Sequence, residues 1–393
     1  MSGTADGSPP GPGKPIDYIR PARRRGQQNT DDSSLISIDF VDGENSPLTG
    51  PAEPMTPVST PPSPSVWLPE QAHTGRTMGS SPELVGQLTH PGTAAGLPRA
   101  VIPLRRLGVL TKLAEGTQGV VSRTEQLRLN RTDLAVLKRY KAAVLTELDT
   151  PALTALVEFL FALPRAEGRS LLDSAAWPIR AVSDGDQTIG FVMPEVPDRY
   201  WIDLSLPSGH RRRVPGQVQH LLNDDDFSAR RGLVVPDRTR LQLLLSLAYR
   251  LDFLHARGVT VGDLSPKNLL FATSPRPHCY FVDCDAMALH GRSALPQLET
   301  PGWHVRALSP EPLATTATDR YKLALLVLRM LARDQATYRT EALPAWLAYR
   351  LKPMIDKGIG PDPQQRPTAT EWIAPLRQAV RIASSKSPAY RPG

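Results

Sequence analysis

The chain has 393 residues, a formal net charge of +7 and an apolar fraction of 40%, which is enough for a sizeable core. No stretch approaches the 18 apolar residues of a membrane span, and the first ten residues lack the pattern of a secretory signal. The only cysteines, Cys279 and Cys284, exclude a disulfide scaffold and a self-contained zinc site, so we expect a cytoplasmic protein.

The positive charge alone does not predict nucleic-acid binding. The basic runs at residues 23–25 and 210–213 are short, and neither is interleaved with aromatic residues that could stack on bases. An acidic run at 224–226 follows the second of them. We therefore expect solvated surface rather than a nucleic-acid or membrane partner.

Residues 1–100 are predicted to form a disordered tail rich in Pro, Ser and Thr. Sixteen of the 40 prolines lie there, and such a segment buries too little apolar surface to offset the entropy of ordering. Thr56, Thr60 and Ser63 each precede a proline. They are exposed hydroxyls that a kinase could reach, although an unmodified linker explains them equally well.

Ordered structure is predicted from residue 101 onwards. The pattern of residues 101–196 indicates strands at 107–114, 120–129 and 133–141, a helix at 150–163, and strands at 179–182 and 188–193 that turn at Asp184-Gly185. Thr150 and Pro151 suit a helix start, and Pro164 ends it.

The chain after residue 197 is predicted to be mainly helical up to residue 380, with a flexible C-terminus at 381–393. Residues 238–257 carry apolar side chains at helical spacing, and residues 319–332 are apolar on almost every face, as in a buried helix. Residues 203–236 are rich in charge, Gly and Pro, which predicts an insertion with little regular structure.

Two motifs in the strand-rich part suggest a phosphate site. The sequence LAEGTQGVV at 113–121 places glycines in a turn between two strands, where backbone N–H groups can approach phosphates closely. Lys138 ends an apolar strand 19 residues after Gly119. Each alone has an ordinary explanation, a hairpin turn and a surface lysine with a buried stem.

Two further motifs suggest a proton acceptor and metal ligands. VGDLSPKN at 261–268 spaces Asp263 and Asn268 five residues apart in a loop, and YFVDCD at 280–285 ends an apolar strand in two carboxylates. Hard oxygen ligands of this kind suit magnesium that carries phosphates. The alternatives are a polar surface loop and a turn cap at Asp283.

Together, and in this order, the four motifs resemble the eukaryotic-type serine/threonine protein kinase family, in a divergent bacterial form. The resemblance covers residues 107–376. It also includes MPEV at 193–196 in the hinge position, TPGW at 300–303 in the activation segment, Asp319 opening the buried helix, and DPQQRP at 362–367. It implies an α+β, two-lobed kinase-like fold: a small antiparallel sheet with one helix, then a mainly helical lobe.

The resemblance also implies ATP and Mg²⁺ as cofactors and assigns a role to each motif. The residues implied to bind nucleotide are Gly116, Thr117, Gly119, Val121, Lys138, Glu195 and Val196. Asp263 would orient or deprotonate the attacking hydroxyl, while Asn268 and Asp283 would hold Mg²⁺. Lys138 would pair with a glutamate, either Glu158 in mid-helix or, as the second choice, Glu147.

Departures from the family pattern lead to further expectations. Val261-Gly262 replaces the His-Arg pair before the catalytic Asp, so we expect activity that does not depend on phosphorylation of the activation segment. Ser265 stands where these kinases carry a phosphate-binding lysine, a role that Lys267 would have to take. Ala307 occupies the position of the family's late glutamate, and Glu311 replaces it only if the spacing is shifted.

Three functions stay open at this point. The first is an active serine/threonine kinase for a protein substrate, with its own tail as one candidate. The second is a small-molecule phosphotransferase, suggested by Asp285 in place of a glycine and favoured if residues 203–236 wall a substrate-sized pocket. The third is a nucleotide-binding scaffold, which the retention of both metal ligands disfavours.

Overall fold

The structure is a computed structural model that describes residues 100–128, 134–307 and 310–385. The fold is α+β, with a mainly sheet N-terminal part and a mainly helical C-terminal part. The predicted disordered tail therefore lies, apart from Ala100, outside the described residues.

The N-terminal part is built on a six-stranded sheet in the order β1-β5-β6-β4-β3-β2. Its strands are β1 (Val101–Pro103), β2 (Leu110–Glu115), β3 (Gly119–Arg128), β4 (Leu134–Tyr140), β5 (Arg180–Asp184) and β6 (Gln187–Pro194). All neighbours are antiparallel except β1 and β5, which are parallel. The predicted order along the chain, three strands, a helix and two strands, is confirmed, and β1 precedes it as an additional strand.

Helix α2 (Thr150–Ala162) covers this sheet, between the short helices α1 (Ala142–Leu145) and α3 (Arg165–Leu172). The Asp149 carboxylate accepts a hydrogen bond from Ala152 N and so caps α2, with Pro151 in its first turn. The expectation of one helix in this part is thus wrong, because the two short helices α1 and α3 accompany α2. The predicted helix start near Thr150 is confirmed.

The C-terminal part is organised around α6 (Thr316–Ala332), which is buried along almost its whole length. The other helices are α4 (Asp225–Arg230), α5 (Asp237–His255), α7 (Ala345–Gly358) and α8 (Ala369–Ser385). A reciprocal pair of hydrogen bonds between Thr315 and Thr318 fixes the start of α6. α8 continues to Ser385, five residues into the segment predicted to be flexible, and no helix of the described residues is long and apolar enough to cross a membrane.

Short strands carry the loops that face the sheet. They are β9 (Val259–Thr260), β10 (Leu269–Ala272), β11 (His278–Phe281), β12 (Ala288–Leu289) and β13 (Arg292–Ser293). β10 pairs with β11, and β12 lies between β13 and β9. The predicted loops 261–268 and 282–285 are therefore each anchored at the end of a strand.

The prediction of little regular structure at 203–236 is wrong. The segment contains most of a hairpin, in which β7 (Trp201–Ser205) pairs with β8 (Arg211–Pro215). A 3-10 turn at Val218–Leu222 and the helix α4 follow the hairpin. Asp224 caps α4 by accepting from Phe227 N. The side chains of residues 211–213 are exposed arginines, so this strand has no alternating apolar pattern by which the sequence would reveal it.

Candidate active site

The glycine turn between β2 and β3 brings the backbone against the neighbouring strand. Gly116 N donates to Gly119 O at 2.9 Å and closes the turn. A Cβ on Gly119 would lie 2.4 Å from Arg139 O, so no other residue fits without a shift of the backbone. Thr117 at the tip is exposed, and Val121 is fully buried on the strand that follows.

Lys138 lies at the centre of a buried ionic cluster under this turn. Its Nζ donates to both Asp285 oxygens at 2.8 and 2.9 Å, to Asp283 Oδ1 at 3.1 Å and to Gln118 Oε1 of the turn at 3.3 Å. The lysine and Asp285 are fully buried. Burial lowers the pKa of Lys138, but the charges of Asp283 and Asp285 outweigh it and hold the pKa above its usual value.

The structure does not pair Lys138 with Glu158, and that prediction is corrected here. α2 turns Ala152, Leu153, Leu156, Val157 and Leu160 inward, and this leaves Glu158 exposed on the opposite side. Glu147, the second choice, is also exposed, just before the helix. Within the described residues, the carboxylates that pair with Lys138 are those of Asp283 and Asp285.

Asp285 is held in place from a second side. Tyr140, two residues after Lys138 on β4, donates its hydroxyl to Asp285 Oδ2 at 3.0 Å. Burial and, after it, the charge of Asp285 raise the pKa of Tyr140 well above its usual value, so the hydroxyl stays a donor. Sequence reasoning missed this pair, although period 2 on β4 places Tyr140 on the same face as Lys138.

Asp263 and Asn268 meet as the spacing predicts. Asn268 Nδ2 donates to Asp263 Oδ2 at 2.8 Å, and Thr300 adds its Oγ1 at 2.7 Å to the same oxygen and its backbone N at 3.0 Å to Oδ1. A carboxylate has about four lone-pair sites, so one on Oδ1 stays available as an acceptor. Thr300 Oγ1 also lies 3.0 Å from Ser265 Oγ, which ties the segment around Thr300 to this loop.

Two buried side chains of α6 hold the backbone of the Asp263 loop. Asp319 accepts from Val261 N at 2.7 Å and Gly262 N at 2.9 Å, and Lys322 Nζ donates to Gly262 O at 2.7 Å. Lys322 also pairs with Glu299 at 2.6 Å. Gly262 has a φ of +72°, and a Cβ there would meet Gln297 Oε1 at 2.2 Å, so glycine is required in this loop.

Asn268 and Asp283 fit a magnesium ion that arrives with phosphates. Asp283 adopts the left-handed conformation at φ 55°, a strained backbone state that is typical of functional sites. Within the described residues, Asn268 Oδ1 and Asp283 Oδ2 accept no hydrogen bond, so each residue has an oxygen free for a hard cation. No group of three His, Cys, Asp or Glu side chains in the described part could hold a metal, so phosphate oxygens would have to complete the site.

The predicted hinge residues lie at the end of β6, beside an apolar cluster. Glu195 N donates to Leu134 O at 2.9 Å, and its carboxylate takes both Arg123 nitrogens at 2.8 and 2.6 Å, which raises the pKa of Arg123. The Glu195 side chain therefore binds Arg123 of β3 and stabilises the sheet. Val196 is buried in the same apolar core cluster as Val121, Met193 and Leu270.

Arg366, in the DPQQRP segment, pairs with Glu311. Arg366 Nη1 donates to Glu311 Oε2 at 2.7 Å and Nη2 to Glu311 Oε1 at 2.5 Å, a two-point pair with a buried guanidinium. Position 311 rather than 307 thus supplies the partner of Arg366, in agreement with the alternative of a shifted spacing. The pair fixes the segment around Glu311 against α6, because Arg366 also donates to Ala317 O.

Lys267 lies on the wall of an open cavity of about 350 Å³ next to Thr300. Its backbone O accepts from Gln217 Nε2 at 3.2 Å, and its neighbour Pro266 O accepts from Gln219 N at 3.2 Å. Gln219 and Leu222 of the insertion line the same cavity. The predicted catalytic role of Lys267 stays a prediction.

Comparison of the sequence with models of known protein families and with curated proteins gave no match.

Proposed function

We propose that this chain is a protein kinase that transfers the γ-phosphoryl group of MgATP to a serine or threonine hydroxyl. The sheet and the helical part would form the two lobes of a kinase-like fold. The observation that carries the proposal is the convergence of Lys138, Asp283 and Gln118 of the glycine turn, which lie far apart in sequence. That is a cation, a metal ligand and a backbone cradle at one place, as phosphoryl transfer requires.

The side chains divide the work between binding and proton transfer. Lys138 holds phosphate oxygens, and Asn268 and Asp283 hold the metal through their free oxygens. Asp263 accepts the proton of the attacking hydroxyl at the remaining site on Oδ1. Mg²⁺ supplies neutralisation of the phosphate charge, so the protein itself contributes mostly positioning.

Asp285 acts in this proposal as a positioning residue for Lys138. It replaces the helix glutamate of the family pattern, and it lies only two residues from the metal ligand Asp283. Lysine, metal ligand and anchor are therefore linked through one short segment rather than through α2. A movement of α2 would leave the pair between Lys138 and Asp285 intact.

The activation segment is held without a phosphate group. Thr300 bonds Asp263 of the catalytic loop directly, and Glu299 reaches that loop through Lys322 of α6, which donates to Gly262 O. These contacts take the place of the pair between a loop phosphate and the arginine that Val261-Gly262 replaces. They support activity that is independent of phosphorylation of this segment.

The test is transfer of labelled phosphate from ATP and Mg²⁺ to the protein's own tail or to added protein. We expect transfer by the wild type, and none by Asp263→Asn, although that variant still binds nucleotide in an equilibrium assay. Lys138→Met should weaken binding and abolish transfer. Nucleotide binding by the wild type without any transfer would refute the kinase proposal and favour a scaffold.

One observation favours a small-molecule phosphotransferase as a second candidate. The cavity beside Thr300 is substrate-sized and is walled in part by Gln219 and Leu222 of the insertion. Its openness towards solvent also suits a peptide chain. Transfer to pooled small hydroxyl compounds, but to no protein or peptide, would establish the second candidate over the first.

A further inference from the structure

The cavity next to Thr300 is lined by three cations and two aromatic rings. Arg306 and Arg329 contribute guanidinium groups, Lys267 an ammonium group, and Trp303 and Tyr338 the rings. No carboxylate lines the cavity among the residues that the structure describes. Below, this cavity is called the basic pocket.

The rings hold the two arginines in place. The Arg306 guanidinium lies 3.4 Å from the centre of the Tyr338 ring, and the Arg329 guanidinium lies 4.6 Å from the centres of both the Trp303 and Tyr338 rings. Stacking of this kind restricts a long side chain while leaving its N–H edge available. The cations are thus ordered before any ligand binds.

The charge of these cations is not balanced within the described residues. Arg329 is buried and donates to the carbonyls of Gly302 at 2.9 Å and Thr337 at 3.2 Å, which are neutral acceptors. None of the salt bridges among the described residues involves Arg306, Arg329 or Lys267. The buried Lys138, Lys322 and Arg366 each have a carboxylate, whereas the buried Arg238 also has none within the described residues. A buried cation without an anion is costly.

A purely structural role accounts for only one of the three cations. Arg329 braces the loop at Gly302 against Thr337, and this alone would justify its burial. The same explanation does not extend to Arg306, which is exposed, or to Lys267, whose backbone rather than its ammonium group contacts the insertion. Their convergence on one cavity calls for a ligand.

Resting on the proposed function, we propose that the basic pocket binds a carboxylate or phosphate on the protein substrate, beside the hydroxyl that is phosphorylated. Thr300 lines the pocket and bonds Asp263 through both its backbone N and its Oγ1. An anionic side chain in the pocket is therefore separated from the catalytic carboxylate of Asp263 only by Thr300. The enzyme is selective for acceptors with an adjacent glutamate, aspartate or phosphorylated residue.

The test compares peptide pools that have a central serine or threonine and one fixed flanking residue: phosphoserine, glutamate, glutamine or lysine. Binding of each labelled pool to the full chain is measured without nucleotide, and phosphorylation of each pool is measured with MgATP. At one flanking position we expect the phosphoserine and glutamate pools to bind at least about tenfold more tightly than the glutamine pool, the effect of one charge-assisted hydrogen bond. Added salt should reduce the difference.

Arg306→Gln should remove this preference, and Arg276→Gln is the matched control. Arg276 is an exposed arginine on the turn between β10 and β11 and does not line the pocket. Equal binding of all pools by the wild type, or a preference that survives Arg306→Gln, would overturn the proposal.

The two readouts separate this proposal from the proposed function. A preference in binding without any phosphoryl transfer leaves the basic pocket standing and refutes the kinase. Transfer that shows no preference at any flanking position leaves the kinase standing and refutes the pocket.

Discussion

Replacement of Asp285 by asparagine tests the anchoring of Lys138 most directly. Asp285→Asn keeps the shape of the side chain and one acceptor oxygen but removes the negative charge. In the wild type, both carboxylate oxygens bond Lys138 Nζ, and Tyr140 donates to the second oxygen. All three side chains are buried, so water cannot replace the lost interaction.

The size of the effect follows from burial and from what remains. Removing one partner of a buried ion pair costs about 3–5 kcal/mol. Asp283, at 3.1 Å, still faces Lys138, so we expect the lower end, about 3 kcal/mol. For a folded part of this size that corresponds to a fall in melting temperature of roughly 5 °C.

The assay is thermal unfolding followed by circular dichroism, together with equilibrium binding of MgATP. Glu158→Gln is the matched control, because it removes a carboxylate that is exposed, and it should change stability by less than about 0.5 kcal/mol. In the background of Lys138→Met, Asp285→Asn should cost much less than in the wild type, because its partner is gone. Equal destabilisation by Glu158→Gln, or an unchanged melting temperature of Asp285→Asn, would refute the anchoring role.

Four further outcomes are expected. Asp319→Ala leaves two backbone N–H groups without their acceptor. It should lower the free energy of unfolding, measured in urea, by about 2–5 kcal/mol and remove most of the transfer activity; a stable, active variant would contradict this. Glu311→Gln breaks the two-point pair with Arg366 and should cost about 2–3 kcal/mol, whereas an effect below about 0.5 kcal/mol would mean the pair is dispensable. Burial lowers the pKa of His220 and His278 from 6.5 to about 4, so the folded state disfavours their protonation. Stability should therefore fall as the pH drops from 6.5 towards 4, by about 2 kcal/mol each at pH 5; a double His→Gln variant with the same pH profile of melting temperature would contradict this. Phosphatase treatment of the purified protein should leave transfer activity unchanged, and loss of activity would show that a phosphate group holds the activation segment after all.

The sequence predicted the sheet and the geometry of the Asp263 loop well, because their signals are local. Alternation of apolar residues and turn glycines predicted the strands around Lys138, and the five-residue spacing of Asp263 and Asn268 predicted their contact. The hydrogen bond between them bears this out. In both cases the distance in sequence is short enough for spacing alone to determine geometry.

The errors concern contacts that spacing does not determine. The prediction of Glu158 as the partner of Lys138 rests on its distance along the chain. The rotation of α2 about its axis, however, decides which of its side chains face inward. The apolar residues Leu156, Val157 and Leu160 already indicate that inward face. The pairing with Asp285 joins residues 147 positions apart, so only the tertiary fold brings them together. Glu311 illustrates the same limit, since a shift in loop length conceals its partner.

The insertion has a consequence for anyone who trims this protein to a minimal catalytic unit. Its segment 216–222 bonds three residues of the Asp263 loop and of β10, which follows it: Gly216 O accepts from Phe271 N, Gln217 Nε2 donates to Lys267 O, and Gln219 N donates to Pro266 O. Deletion of residues 203–236 would strip the loop of these supports. The hairpin tip at 206–210, which lies outside this network, is the place where shortening or the fusion of a reporter should be tolerated.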